Sequence, residues 1–168
     1  MDHQPTFAEL LENNRQYAGR FPVVDGGFDG IAHAGLAIIT CMDSRIEPLQ
    51  MVGLQLGDAK ILRTPGGQLT RDAMIGCILA TNLLGVKRIM VVPHTRCAMV
   101  GGDESIRASV RAATGADVGD LAFGSIIDQH AKLRRDVAAL RAEPLVADHA
   151  EIGGFVYDVD TGALSQVV

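Results

Sequence analysis

Leu36-Ala37-Ile38-Ile39-Thr40-Cys41-Met42-Asp43-Ser44-Arg45 is the stretch that decides how this chain folds. Its first five residues are apolar or β-branched without alternation, as expected of a parallel strand covered on both faces. A thiol, a carboxylate and a guanidinium then follow at every second residue. A second run, Ile89-Met90-Val91-Val92-Pro93, leads in the same way into His94-Thr95-Arg96-Cys97. If the two runs are neighbouring strands, two thiols and one imidazole meet at one edge of a sheet. Two cysteines and one histidine with a fourth position open make the donor set of a catalytic zinc centre rather than a closed structural one.

The sequence between the motifs supports that placement. Ile46 to about Leu54 reads as a short helix or turn, and Ala59–Arg63 as a second strand broken by Pro65-Gly66-Gly67. Thr70 caps a helix running to about Leu84, with Ala73, Met74, Cys77, Ile78 and Leu84 on one face and Gly85 as its stop. Val86–Pro93 is the third strand. The alternation predicts an α/β fold: a central, mostly parallel β-sheet flanked by helices, with the zinc site at the carboxyl ends of the strands.

Further along, Ser105 to Thr114 and Ser125 to Ala142 read as helices, the second ending before Pro144. Gly154–Val159 reads as a strand, Asp160-Thr161-Gly162 as a turn, and Ala163–Val168 as a C-terminal edge strand or hairpin partner. At the other end, Thr6-Phe7-Ala8-Glu9 forms a capping box that opens a helix to about Tyr17. Gly26, Gly27, Gly30 and Gly35 make residues 20–35 a loop. Residues 1–168 are expected to form one domain, with the helix and arm of residues 1–30 packing on a partner subunit.

Composition narrows the function. The 168 residues are 48 % hydrophobic and 21 % charged, with a mean hydropathy of +0.19, an ordinary globular balance. Fifteen basic against twenty acidic residues give a net charge of −5, and no basic run stands out, so nucleic acid is not an expected partner. No segment has the length of a membrane span. Met1-Asp2-His3-Gln4-Pro5 lacks the basic and apolar regions of a signal peptide, which makes a cytoplasmic protein the expectation. Three cysteines do not form a disulfide scaffold in a chain this large. The one outside the motifs, Cys77, reads as a small buried apolar side chain. A cysteine-nucleophile phosphate loop needs five residues between Cys and Arg, and only three separate Cys41 from Arg45. The Pro65-Gly66-Gly67 loop sits in no Gly-x-Gly-x-x-Gly or Walker pattern, so a nucleotide cradle is a weak reading.

The pairing of Cys-x-Asp-x-Arg with His-x-x-Cys resembles the β-class carbonic anhydrases, of the compact bacterial type. The resemblance implies one Zn2+ per chain on Cys41, His94 and Cys97, and reversible hydration of carbon dioxide to bicarbonate and a proton by zinc-bound hydroxide. It implies that Asp43 accepts the hydroxide's hydrogen bond, that Arg45 holds Asp43 ionised and in place, and that Gly66 and Gly67 border a small apolar substrate pocket. It also implies a homodimer or a multiple of dimers. A closed state in which Asp43 becomes the fourth zinc ligand would give higher activity at alkaline pH. Two departures bear on rate and substrate preference rather than on metal binding. Ala98 stands where the family has Gly, and Arg63-Thr64-Pro65-Gly66 where it has Arg-x-Ala-Gly, a segment lining the substrate pocket. The alternatives are hydrolysis of carbon disulfide or carbonyl sulfide at the same site, and a non-catalytic, zinc-stabilised bicarbonate sensor. His3, His33, His130 and His149 read as surface residues, and none is identified as a proton shuttle.

Overall fold

The computed structural model describes residues 7–168. One sheet contains β1 (Leu36–Cys41), β2 (Ala59–Thr64), β3 (Arg88–Val92), β4 (Glu151–Tyr157) and β5 (Leu164–Gln166), in the spatial order β2-β1-β3-β4-β5. The first four strands run parallel and β5 returns antiparallel to β4. The helices are α1 (Phe7–Ala18), α2 (Arg71–Leu83), α3 (Asp103–Thr114), α4 (Gln129–Ala142) and the single turn α5 (Pro144–Ala147).

Strand order creates the place for a site. From β1 the chain steps to β2 on one side, then crosses back through α2 to β3 on the other. The connections after β1 and β3 therefore leave in opposite directions and open a crevice between their carboxyl ends. Thr40 pairs with Val92 in register, so Cys41 and the Pro93-His94 step emerge side by side. The buried Thr40 hydroxyl donates to Val92 O at 2.8 Å and ties the two strands just beneath that crevice.

All six residues of β1 are buried, as their unbroken apolar pattern predicts. On one face Ala37, Ile39, Ile89, Val91 and Ile152 meet Ala73, Cys77 and Ala80 of α2 and Leu133, Val137 and Leu140 of α4. On the other, Leu36, Ile38 and Val92 pack with Met51, Leu54, Met90, Phe155 and Tyr157 in a thinner layer of loop and strand residues. The α2 boundaries have the predicted chemistry. Thr70 accepts from the Ala73 amide, and Gly85 follows the helix with φ 78°. Cys77 is fully buried, and burial pushes its thiol up to about 12.

β3, α3 and the end of β4 differ from the sequence reading by one or two residues, and three places differ more. α4 starts at Gln129 and is capped by the Asp128 side chain, which accepts from the Ala131 amide. The preceding residues run instead beside residues 99–101, where Ile126 N donates to Met99 O at 2.7 Å and Gly101 N to Ile126 O at 3.0 Å. Pro144 does not simply end helix: it opens α5, where the Glu143 carboxylate accepts from Leu145 N. β4 begins three residues early, at Glu151, and includes both Gly153 and Gly154. A Cβ at Gly154 would lie 2.6 Å from Val168 Cγ1, so tertiary packing explains glycine inside a strand. The capping box at Thr6 lies outside the described residues. α1 has no buried residue, and Phe7 at its start is 84 % exposed. No described helix is long and apolar enough to cross a membrane.

Candidate metal centre

β1 ends at Cys41 and the chain turns at once. Asp43 Oδ1 accepts from the Arg45 amide and from Arg45 Nε, both at 2.9 Å, and Oδ2 accepts from Arg45 Nη2 at 2.7 Å. The carboxylate is gripped by a planar fork and by main chain together. These hydrogen bonds from Arg45 hold Asp43 well below the usual carboxylate range, so it stays ionised at neutral pH.

The second motif is held by elements distant in sequence. Tyr157 N donates to Pro93 O at 3.0 Å, Thr95 N to Tyr157 O at 2.9 Å, and Val159 N to Thr95 Oγ1 at 3.1 Å, so the end of β4 carries the His94 turn. Gln129 Nε2, at the start of α4, donates to His94 O at 2.9 Å. Arg96 takes the left-handed φ of 53°, uncommon for a residue with a side chain, and this turns the chain so that Cys97 faces back toward His94. The Arg96 guanidinium pairs with Asp160.

The donor atoms of Cys41, His94 and Cys97 lie within 4.8 Å of one another, and all three residues are buried. His94 Nδ1 donates to Thr95 O at 2.8 Å, which leaves Nε2 as the nitrogen with the free lone pair. His94 is 0 % exposed and its Nε2 has no hydrogen-bond partner among the described residues. A buried polar atom left unpaired costs roughly 1–3 kcal/mol, so a group that a cation would satisfy stands at the centre of the cluster. Asp43 Oδ2, at 3.7 Å from Nε2, is too far to bond it. The nearby Cys97 sulfur, with the Asp43 and Gly66 amides, holds the Cys41 thiol below its ordinary range against the effect of burial. The same contact, with burial, raises Cys97 above the ordinary thiol range. Donors on a tetrahedral zinc with bonds of about 2.0–2.3 Å stand roughly 3.3–3.8 Å apart, so only a small contraction separates this cluster from a ligand set. Two soft sulfurs, a nitrogen of fixed tautomer and burial together fit such an ion.

A cleft of about 430 Å3 opens beside the cluster. Cys41, Asp43, Arg45, Gly66 and Cys97 line it together with Met42, Pro65, Ala98 and Met99. Of the two glycines expected to border the substrate pocket, Gly66 lines this cleft and Gly67 lies behind it. Gly67 has φ 66°, and a Cβ there would lie 3.1 Å from Cys41 N, Val92 O and Pro93 Cα, so it is the floor where β1 and β3 come together. A larger cavity, about 760 Å3, lies at the amino ends of β1, β3 and β4, among Leu36, Arg88 and Glu151, and contains none of these groups. His33, His130 and His149 are exposed and absent from the cleft lining, and His3 lies outside the described residues.

With the geometry in place, comparison with known proteins is informative. A family model described as carbonic anhydrase matches residues 36–114, the segment that holds both motifs. A carbonic anhydrase structure from Streptococcus mutans superposes with a TM-score of 0.85 at 31 % identity, covering 98 % of this chain and 99 % of that one. This chain belongs to the β-carbonic anhydrase family. Beta-carbonic anhydrase 1 of Mycobacterium tuberculosis is 29 % identical over 160 residues, 95 % of this chain and 96 % of that protein. A carbon disulfide hydrolase of Saccharolobus solfataricus is 32 % identical over 155 residues, 77 % of this chain and 75 % of that protein. Members of the β-carbonic anhydrase family are metalloenzymes, and the buried Cys-His-Cys group is where this member can hold its metal.

Two supports of the site escape sequence reading. The Gln129 bond to His94 crosses 35 residues, and Gln129 reads only as an ordinary helix residue. Arg63 belongs to the segment expected to line the substrate pocket. Here Pro65 and Gly66 do so, whereas the Arg63 guanidinium reaches the main chain of the loop that carries Asp43.

Proposed function

We propose that this protein catalyses the reversible hydration of carbon dioxide to bicarbonate and a proton, using one Zn2+ per chain held by Cys41 Sγ, His94 Nε2 and Cys97 Sγ. The unpartnered, buried His94 Nε2 between two thiols is the observation that carries this reading. Zinc bound by such a set supplies Lewis acidity that makes water nucleophilic near neutral pH.

The chain's own residues supply the rest. Asp43, ionised and with both oxygens committed to Arg45, can accept a hydrogen bond from the reacting water and orient its lone pair toward the cleft. Arg45 holds both Asp43 oxygens, and the nearer one stands 3.7 Å from His94 Nε2, which supports the open arrangement rather than the closed one. Met42, Pro65, Ala98 and Met99 give the cleft apolar walls suited to a small apolar substrate. We assign Gly66 to the substrate pocket and Gly67 to its supporting floor. The test is stopped-flow hydration of carbon dioxide across pH on protein of measured zinc content. The expected result is turnover proportional to zinc and rising toward alkaline pH. Full zinc without hydration would refute the assignment and favour the bicarbonate-sensing alternative.

Carbon disulfide hydrolysis is the second reading, favoured by the Saccharolobus relative and by the same apolar cleft. Comparing turnover of the two substrates decides between them. The reading also includes a homodimer or a multiple of dimers with α1 packed on the partner, supported by the exposure of Phe7, Leu10, Leu11 and Tyr17. A cytoplasmic setting is consistent with three free cysteines.

A further inference from the structure

Arg63 is outside the ligand set, the Asp43–Arg45 pair and the cleft lining. It is the penultimate residue of β2 and pairs in register with Thr40, next to the first sulfur donor. Its guanidinium lies behind the loop that follows β1. Nε donates to Cys41 O at 2.9 Å, and Nη2 donates to Asp43 O at 2.5 Å and to Ile46 O at 3.3 Å. One rigid, planar group thus spans the main chain of the segment holding the first donor, the oriented carboxylate and its guanidinium partner.

The other ties on this segment are weaker or internal to it. The three Asp43–Arg45 bonds fix those two residues to each other, not to the sheet. Ile46 N to Asp43 O, at 3.2 Å, is internal as well. Outward ties are Met42 N to Thr64 O and Arg45 Nη2 to Arg96 O, both at 3.3 Å. Buried Ile46 anchors the far end beneath Cys41 and Cys97.

We infer that Arg63 is a positioning residue: by clamping three carbonyls from behind, it sets where the Asp43 carboxylate stands over the cleft and the angle from which Cys41 enters the ligand set. This rests on the proposed reaction for its catalytic consequence but not for its structural one. A lysine keeps the charge and reaches fewer carbonyls, because it lacks the fork.

The test combines Arg63→Ala, Arg63→Lys, Asp43→Ala and the Arg63→Ala/Asp43→Ala double variant, each with zinc content, melting temperature and hydrogen–deuterium exchange over residues 42–46. The expected result for Arg63→Ala is one zinc per chain, a near-normal melting temperature and exchange at least about tenfold faster over 42–46. Its kcat for carbon dioxide hydration should fall up to about 100-fold, the scale of a misplacement near 1 Å, with KM little changed. Arg63→Lys should recover part of both losses. In the Asp43→Ala background, Arg63→Ala should cost little more, since a positioning residue acts through what it positions. Unchanged exchange over 42–46 would overturn the clamp, and full additivity with Asp43→Ala would overturn its action through Asp43. Full hydration by Asp43→Ala would defeat the reaction reading, while exchange still judges the clamp. If Arg63→Ala does not fold, Arg63→Lys carries the same comparison.

Discussion

The carboxyl edge of β1 and β3 and the amino-terminal arm were built by opposite rules. At the edge, the donor groups are buried and their turns are held by main-chain bonds from β4 and by side chains of α4 and β2 that donate to turn carbonyls. In the arm, the twelve residues of α1 bury nothing, and the aromatic rings that follow pair edge-on along the chain, Tyr17 with Phe21 and Phe21 with Phe28. The donor groups of the first region all come from one chain. The second leaves large apolar side chains exposed to water. Chemistry that requires fixed atoms is placed where long-range contacts converge, and the segment that has few of them is the one proposed to pack on a partner.

The sharpest way to break this contrast is to remove the unpartnered nitrogen. His94→Ala should abolish stoichiometric zinc and measurable carbon dioxide hydration, checked by elemental analysis and stopped-flow, while far-ultraviolet circular dichroism stays near normal. Asp43→Ala should keep zinc and lose about 100-fold or more in kcat. Retained turnover would remove Asp43 from the mechanism. The sulfur pair makes a prediction about pH. Contact with Cys41 and burial hold the Cys97 thiol above its ordinary range, so zinc must displace a proton from it. Zinc uptake at pH 7 should therefore release protons, and affinity should fall on acidification. Calorimetry in buffers of different ionisation enthalpy measures the release, and its absence at pH 7 would contradict this.

Smaller effects probe the frame and the arm. Gly67→Ala puts a methyl against the backbones of β1 and β3 at a left-handed φ, and should cost about 1–3 kcal/mol in denaturant unfolding. In the arm, Leu10→Asp with Leu11→Asp should change the stability of the monomer by no more than about 0.5 kcal/mol. The same change should dissociate the oligomer in analytical ultracentrifugation. A large loss of monomer stability would show that α1 belongs to the chain's own core.

Much of this molecule was legible in the residues themselves. The unbroken apolar runs at 36–40 and 89–92 announce doubly covered parallel strands, and Thr70 and Gly85 mark the ends of α2 through local chemistry. The juxtaposition of Cys41, His94 and Cys97 followed because strand-end motifs separated by two crossovers can become neighbours. What stayed hidden depends on contacts with no local signature. Residues 125–128 read as the first turn of the helix, yet the Ile126–Met99 bond claims them for an extended path. Gly153 and Gly154 read as a strand boundary because nothing nearby shows that Phe155 and Val168 will fill the space. Arg63 reads only as part of a segment that the resemblance places along the pocket, and its clamp stayed hidden because its partners are carbonyls, which every residue carries.

The imidazole of His94 is oriented by the carbonyl of the residue beside it. That anchor is peptide backbone, so no exchange of a neighbouring side chain can delete it directly. Lineages sharing this architecture can therefore rebuild the cleft walls, at Pro65, Ala98 or Met42, and drift toward new substrates without surrendering the lone pair on which the centre depends.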